Sequence, residues 1–86
     1  LLNSSNLVTA GKIYKNLKNI KKSINNKKNI NDFLMVHKKQ LENIFKIKID
    51  YLELRNKKNL KSSKKNKNSR LFIAYYLNNT RLIDNL

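Results

Sequence analysis

Leu77-Asn78-Asn79-Thr80-Arg81-Leu82-Ile83-Asp84-Asn85 is the stretch that decides how this chain is read. It continues Arg70-Leu71-Phe72-Ile73-Ala74-Tyr75-Tyr76-Leu77, a run rich in β-branched and aromatic residues that suits a pleated, half-buried surface. Asn78-Asn79 predicts a two-residue hairpin turn of type I′. Both central positions of that turn take φ > 0, which Asn tolerates better than any residue but Gly. Thr80 to Asn85 then returns as the partner strand. Leu71 to Leu77 is apolar on both faces, which predicts the central strand of a small sheet rather than an edge.

Upstream, Ile47, Ile49 and Tyr51 alternate with Lys48 and Asp50, the period of a half-buried strand. Beyond them Leu52 and Leu54 are apolar and Glu53 is not, so the alternation slips by one. A β-bulge or a change of covered face accounts for such a slip. From Arg55 to Ser69 the chain is polar, with Leu60 as its one candidate anchor. Lys61 to Ser69 is low in complexity and is expected to be mobile.

Before the strand the period is helical. Asn3-Ser4-Ser5-Asn6 is a cluster of good N-cap residues. Leu7, Ala10, Tyr14, Leu17, Ile20 and Ile24 then place an apolar stripe on one face, with Lys12, Lys15, Lys18 and Lys22 opposite. Gly11 inside this helix costs about 1 kcal/mol relative to Ala. The polar run Asn25-Asn26-Lys27-Lys28-Asn29 ends it. A second helix is predicted from Asn29 or Asn31, with Asp32 at the positive end of its dipole and Phe33, Leu34, His37, Leu41, Ile44 and Phe45 as its stripe. The expected fold class is α+β, two helices packed on a small three-stranded antiparallel sheet that ends in a β-hairpin. Two helices cannot cover both sheet faces, so Phe72, Ala74 and Tyr76, or their alternates, are expected on an open face.

The 86 residues make one small domain of marginal stability. A hydrophobic fraction of 40% supplies one core and argues against global disorder. The chain has no Cys, so neither disulfides nor a thiolate metal site, in keeping with a cytoplasmic protein. Its longest apolar run, Leu71 to Leu77, is too short to span a bilayer, and no basic-then-apolar signal opens it. A chain that begins Leu1-Leu2-Asn3, without an initiator Met, reads as a fragment. The net charge is +15 and the pI about 10.3, which alone points to nucleic acid or another anionic surface. Only three of the twenty basic residues are Arg, however, and Lys, Asn and Ile together are what an AT-rich genome encodes. Specific nucleic-acid sites lean on Arg forks and stacking aromatics, so compositional drift on solvated faces is the preferred reading.

Ala74, Leu77, Asn78, Arg81, Leu82, Ile83, Asp84 and Asn85 resemble the closing signature of pantothenate synthetases (pantoate–β-alanine ligases), an Ala followed by Leu-Gly-x-x-Arg-Leu-Ile-Asp-Asn. Asn78 stands where the family usually has Gly, a change that suits a φ > 0 position. Ile49-Asp50-Tyr51-Leu52-Glu53-Leu54 is similar to the family's Val-Asp-Tyr-hydrophobic-Glu-hydrophobic strand, and Leu60 to a recurrent Leu in the loop after it. The resemblance covers essentially the whole chain, but only the C-terminal domain of that enzyme. It implies that residues 1–86 are a lid domain whose partner is a missing N-terminal Rossmann-like, nucleotide-binding domain. It also implies pantoate, β-alanine and ATP as substrates, Mg²⁺ as cofactor, a pantoyl adenylate intermediate and a bacterial, cytoplasmic homodimer. The fragment itself is expected to be inactive and to bind neither ATP nor Mg²⁺.

No catalytic constellation stands out. His37 lies on the apolar stripe of the second helix with no metal-ligating residue at i+3 or i+4, which reads as a packed histidine. Asp50 and Glu53 are expected on opposite strand faces, as are Arg81 and Asp84, which then tie the hairpin to its neighbours. With one Gly there is no phosphate-cradling loop. Ser4-Ser5-Asn6 is tempting as the family's Ser-Ser-Arg-Asn signature, whose Ser and Arg close on the ATP phosphates. The Arg is missing, and the family's spacing from that Asn to the aliphatic–Tyr pair, here Ile13-Tyr14, is roughly twice the length found here. The better register puts the family's aromatic-Leu-Ser/Thr on Leu1-Leu2-Asn3. Asn3 is then the N-cap, the signature lies immediately upstream of Leu1, and no catalytic, cofactor-binding or metal residue is assigned. The alternative is a small basic RNA- or DNA-binding α+β module that uses the charge, with Tyr75 and Tyr76 as base-stacking platforms. On the ligase reading, nucleic acid is bound only nonspecifically.

Overall fold

A computed structural model describes residues 3–24, 28–63 and 68–86. Helix α1 spans Ser4–Ser23 and helix α2 Ile30–Phe45; strands β1, β2 and β3 span Lys48–Asn56, Ser69–Leu77 and Thr80–Asn85. The three strands form one antiparallel sheet in the order β1-β2-β3. The α+β architecture read from the sequence is therefore the one observed, with β2 at its centre.

Both helices start on an Asn whose side chain takes up a backbone N–H that has no partner in the first turn. Asn3 Oδ1 accepts from the Asn6 amide at 2.8 Å, and Asn29 Oδ1 from the Asp32 amide at 3.1 Å. Lys21 and Lys22 sit in the last turn of α1, where the dipole is negative. Lys46 ends α2 in the left-handed conformation, φ 54°, and the chain turns directly into Ile47 and β1. The Glu42 carboxylate fastens this corner by accepting the Ile49 amide at 2.9 Å.

The core is one apolar layer between the helices and one sheet face. Ile13, Leu17, Ile20 and Ile24 of α1 and its C-cap meet Ile30, Leu34 and Leu41 of α2. Beneath them lie Ile49, Leu52, Leu54, Leu71, Ile73, Tyr75 and Leu77. The buried stripe of α1 is rotated from the predicted one. Ile13 is 0% exposed while Tyr14 is 39% exposed, and Leu7 also faces solvent. The observed stripe, residues 10, 13, 17, 20 and 24, and the predicted one, residues 7, 10, 14, 17, 20 and 24, share most members and have the same period. Periodicity alone places the stripe only to within one position. On α2, Ile44 is exposed, and Ile30 joins the buried set in its place.

The slip in β1 is a bulge. Ile49 pairs with Tyr75 and Tyr51 with Ala74, so Asp50 is the extra residue. The parity of the covered face changes there, which lets Ile49 and then Leu52 and Leu54 all point at the helices. Asp50 and Glu53 consequently do not fall on opposite faces as strict alternation predicts.

The hairpin turn is also not the one expected. Leu77 pairs with Thr80 across Asn78-Asn79, but only Asn78 takes positive φ, 56°. One left-handed residue at the first central position is the sign pattern of a type II′ turn, which matches strand twist as a type I′ turn does. Past Asn85, Leu71 and Leu86 exchange both backbone hydrogen bonds at 3.0 Å, so the ladder continues to the last residue.

The connection from β1 to β2 does not use Leu60 as an anchor, since that side chain is exposed and its φ is 58°. Backbone bonds organise the described part instead. Asn56 N donates to Lys61 O and Ser63 N to Leu54 O, each at 2.9 Å, and the buried Ser69 hydroxyl donates to Ser63 Oγ at 2.7 Å. Of the low-complexity segment Lys61 to Ser69, residues 64–67 lie outside the described residues, as do residues 1–2 of the family register; Lys61, Ser63, Asn68 and Ser69 are held by the bonds of this connection and by the start of β2.

Candidate functional site

The sheet face away from the helices carries four of the eight residues of the hairpin signature, Ala74, Arg81, Ile83 and Asn85, and Tyr51 and Glu53 of the β1 motif. Register places Tyr51, Glu53 and Arg55 of β1, Arg70, Phe72, Ala74 and Tyr76 of β2, and Arg81, Ile83 and Asn85 of β3 on it. All three arginines of the chain are therefore on this one face. Ile83 is 61% exposed and Tyr76 38%, with Tyr51 and Phe72 half-buried. Ala74, expected to be open, is 0% exposed. It is the smallest side chain in the centre of the face, flanked directly by Tyr51 and Ile83, and the larger groups close over it.

Charge on this face is largely paired. Arg81 Nη2 reaches Asp50 Oδ2 at 2.8 Å, so the first and third strands are joined across β2 by an ion pair that the bulge brings into position. That hydrogen bond holds the Arg81 guanidinium above its ordinary range, so it stays charged. Arg55 Nε donates to Glu53 Oε2 at 2.7 Å. The Arg55 guanidinium also stands 5.9 Å from the centre of the Tyr51 ring, within cation–π range. Arg70 Nη1 donates to Asn85 Oδ1 at 2.9 Å.

The remaining signature residues hold the hairpin to the body. Leu82 packs against the core on the helix side. Asp84 turns to that side too, registered with Ile73, and its Oδ1 accepts the Asn85 amide at 2.8 Å. Burial first, and the Asp84 carboxylate second, push the Tyr75 hydroxyl up from its ordinary value of 10.0. At the turn, Asn78 Nδ2 donates to Asn6 Oδ1 at 3.1 Å, linking the hairpin tip to the start of α1. Arg81 and Asp84 thus take opposite faces, as the spacing predicts; Arg81 ties the hairpin to β1, while the hydrogen bond of Asp84 stays within β3. Sequence reasoning missed Asn6, Glu42 and Ile13. Ile13 stands at helical spacing from Leu17, Ile20 and Ile24, and Glu42 is the one acid on a lysine-flanked helix end; Asn6 was legible only as part of the N-cap cluster.

His37 stacks edge-on to Phe33, ring centres 4.5 Å apart, in a half-buried position on α2. A groove of about 380 Å³ between α2 and the edge of β1 is lined by Leu34, Met35, Lys38, Asp50, Tyr51 and Glu53, among others. Its two acids are the ones engaged by Arg81 and Arg55. Among the described residues, no group of three or more His, Cys, Asp or Glu could hold a metal ion. No helix among them is long and apolar enough to cross a membrane. Gly11 lies inside α1 with nothing near the position of a Cβ, so no protein contact requires a glycine there.

No curated protein and no solved structure matches the chain. The family model described as Pantoate-beta-alanine ligase matches residues 1–86, a span that includes the hairpin signature at residues 74–85 and the β1 motif at residues 49–54. The chain belongs to the pantoate–β-alanine ligase family, ligases of pantothenate synthesis.

Proposed function

We propose that residues 1–86 are the C-terminal lid of an AMP-forming ligase. In this reading an N-terminal Rossmann-like domain of the same polypeptide binds ATP with Mg²⁺ and pantoate, and forms pantoyl adenylate and pyrophosphate. β-Alanine then attacks the acyl carbon, giving pantothenate and AMP. The lid's part is to close over the site and keep water from the acyl adenylate, a mixed anhydride prone to hydrolysis. The observation that carries the reading is the family match over residues 1–86.

On the family reading the nucleotide site belongs to the companion domain. The one Gly is mid-helix, and Asp50, Glu53 and Glu42 are committed to Arg81, Arg55 and the Ile49 amide. ATP and Mg²⁺ are therefore assigned to the companion domain, and no chemical step is routed through this chain. The intact enzyme is proposed to be a cytoplasmic bacterial homodimer that associates mainly through that domain. Full-length protein should release AMP only when pantoate and β-alanine are both present, and the 86-residue chain should release none. AMP release by the chain alone, or its absence from the full-length protein, overturns the proposal.

A further inference from the structure

We propose that the open sheet face, centred on Tyr51, Phe72, Tyr76 and Ile83, is the surface by which this lid seats on its companion domain. The inference rests on the lid reading above and adds which side of the lid faces the active-site domain.

Three observations favour a tethered protein surface as the occupant. The first is composition. Arginine and large aromatics are enriched in protein interfaces and lysine is depleted, because a guanidinium is weakly hydrated and stacks on rings. In a chain where lysines outnumber arginines heavily, all three arginines lie on this face, among Tyr51, Phe72 and Tyr76, with Lys48 the one strand lysine beside them. The second is charge. On a molecule of +15, this is the face where Arg81 and Arg55 are already paired with Asp50 and Glu53, so it loses least when water is removed. A polyanion such as RNA is drawn instead to α1, where lysines cover the solvent side and no acid occurs from Ser4 to Ser23. The third is area. Two strands of nine residues and one of six, about 4.8 Å apart and rising about 3.3 Å per residue, give a footprint of roughly 400 Å². Stable complexes between free proteins bury about 800 Å² per partner. A second copy docked here would be held weakly. A domain of the same polypeptide benefits from a local concentration of about millimolar, and a small face then suffices.

The test places the photo-crosslinker p-benzoylphenylalanine at position 76, 83 or 14 of the full-length protein, replacing Tyr76, Ile83 or Tyr14. All three positions are solvent-exposed, so folding is spared. After irradiation, crosslinked peptides are mapped, and AMP release is assayed on the unmodified protein. Positions 76 and 83 should crosslink to residues of the same polypeptide outside 1–86 at least tenfold more than position 14. Crosslinks from 76 and 83 to a second copy or to co-purified nucleic acid, or yields no higher than from position 14, overturn the docking face. If AMP release is intact in that case, the ligase reading stands without it. Absence of pantoate- and β-alanine-dependent AMP release overturns the ligase reading, and the docking proposal with it.

Discussion

Replacing Ile13 or Tyr14 by Ala tests which side of α1 holds the domain together. The two residues are neighbours, yet Ile13 is 0% exposed and Tyr14 39% exposed. Ile13→Ala removes three carbons from the layer between α1 and the sheet. At ~0.8 kcal/mol per buried methylene, with a cavity left because a helix clamped by Leu17 and Ile20 cannot collapse fully, the loss is about 3 kcal/mol. An 86-residue domain has a total stability of about 4–13 kcal/mol, so this one change removes a large part of it. It should lower the melting temperature by roughly 12–20 °C. Tyr14→Ala loses mainly the contact with Lys18, whose Nζ stands 5.3 Å from the ring centre. That is worth about 0.5 kcal/mol at an exposed site, and the higher helix propensity of Ala offsets it by about the same amount. The net change should stay below about 1 kcal/mol. Urea titration followed by far-UV circular dichroism measures both, and an unchanged slope shows that the denatured state is not responsible. Equal losses, or a larger loss for Tyr14→Ala, would refute the packing described for α1 and restore the stripe read from periodicity.

Asn78→Ala should cost about 1 kcal/mol in thermal unfolding, because Ala resists the left-handed backbone that Asn78 adopts. Asn78→Gly should fall within about 0.5 kcal/mol of the parent, and a loss from Gly as large as from Ala would contradict the turn geometry. A double-mutant cycle on Asp50 and Arg81, both substantially exposed, should give a coupling below about 1 kcal/mol that fades in 1 M salt. A salt-insensitive coupling above about 2 kcal/mol would mean that the pair is shielded from water. Tyr75 predicts an alkaline effect of definite sign. Its hydroxyl is held above 10.0 by burial and by Asp84, so the neutral phenol favours the folded state. That contribution is complete below pH ~10 and is lost as pH rises through the folded value. Relative to Tyr75→Phe, the parent should therefore lose stability only above pH ~10, and a parallel pair of pH curves up to pH 12 would contradict this.

Local chemistry made much of the fold legible. Asn3 and Asn29 announce the two helix starts because a short acceptor side chain before an apolar-periodic run has few better uses. Leu71 to Leu77 announces a central strand because only a strand covered on one face and flanked by large neighbours on the other tolerates so much apolar surface. The bulge was visible as a slip between Tyr51 and Leu52, though not its consequence that Asp50 reaches Arg81. That contact depends on the register of three strands at once. Turn type was less legible, since Asn-Asn satisfies more than one mirror-image turn, and twist and register choose between them. The α1 stripe was ambiguous because Ile13 and Tyr14 are adjacent and both large. Of the candidate site, the signature residues were legible, and the gathering of Tyr51, Glu53, Arg81, Ile83 and Asn85 on one face was not. Strict alternation would have separated Asp50 from Glu53.

The same bulge links the fold to the proposed role. Without it, the β1 residues that follow would swap faces, with Leu52 and Leu54 turned outward and Glu53 and Arg55 turned into the core. One inserted residue keeps the apolar set beneath the helices and at the same time delivers Asp50 to Arg81. It thereby balances charge on the only broad sheet surface that the helices leave uncovered. A domain this small buries a modest fraction of its surface. Leaving one sheet face open lowers that fraction further, so covering the face would add to the stability that the helix–sheet core already supplies. Coverage by a tethered domain would raise the stability of the lid when the two are docked and leave it marginal when they part. Such a difference between closed and open states is what a lid requires: docked firmly enough to exclude water from an adenylate, and released readily enough to let product leave.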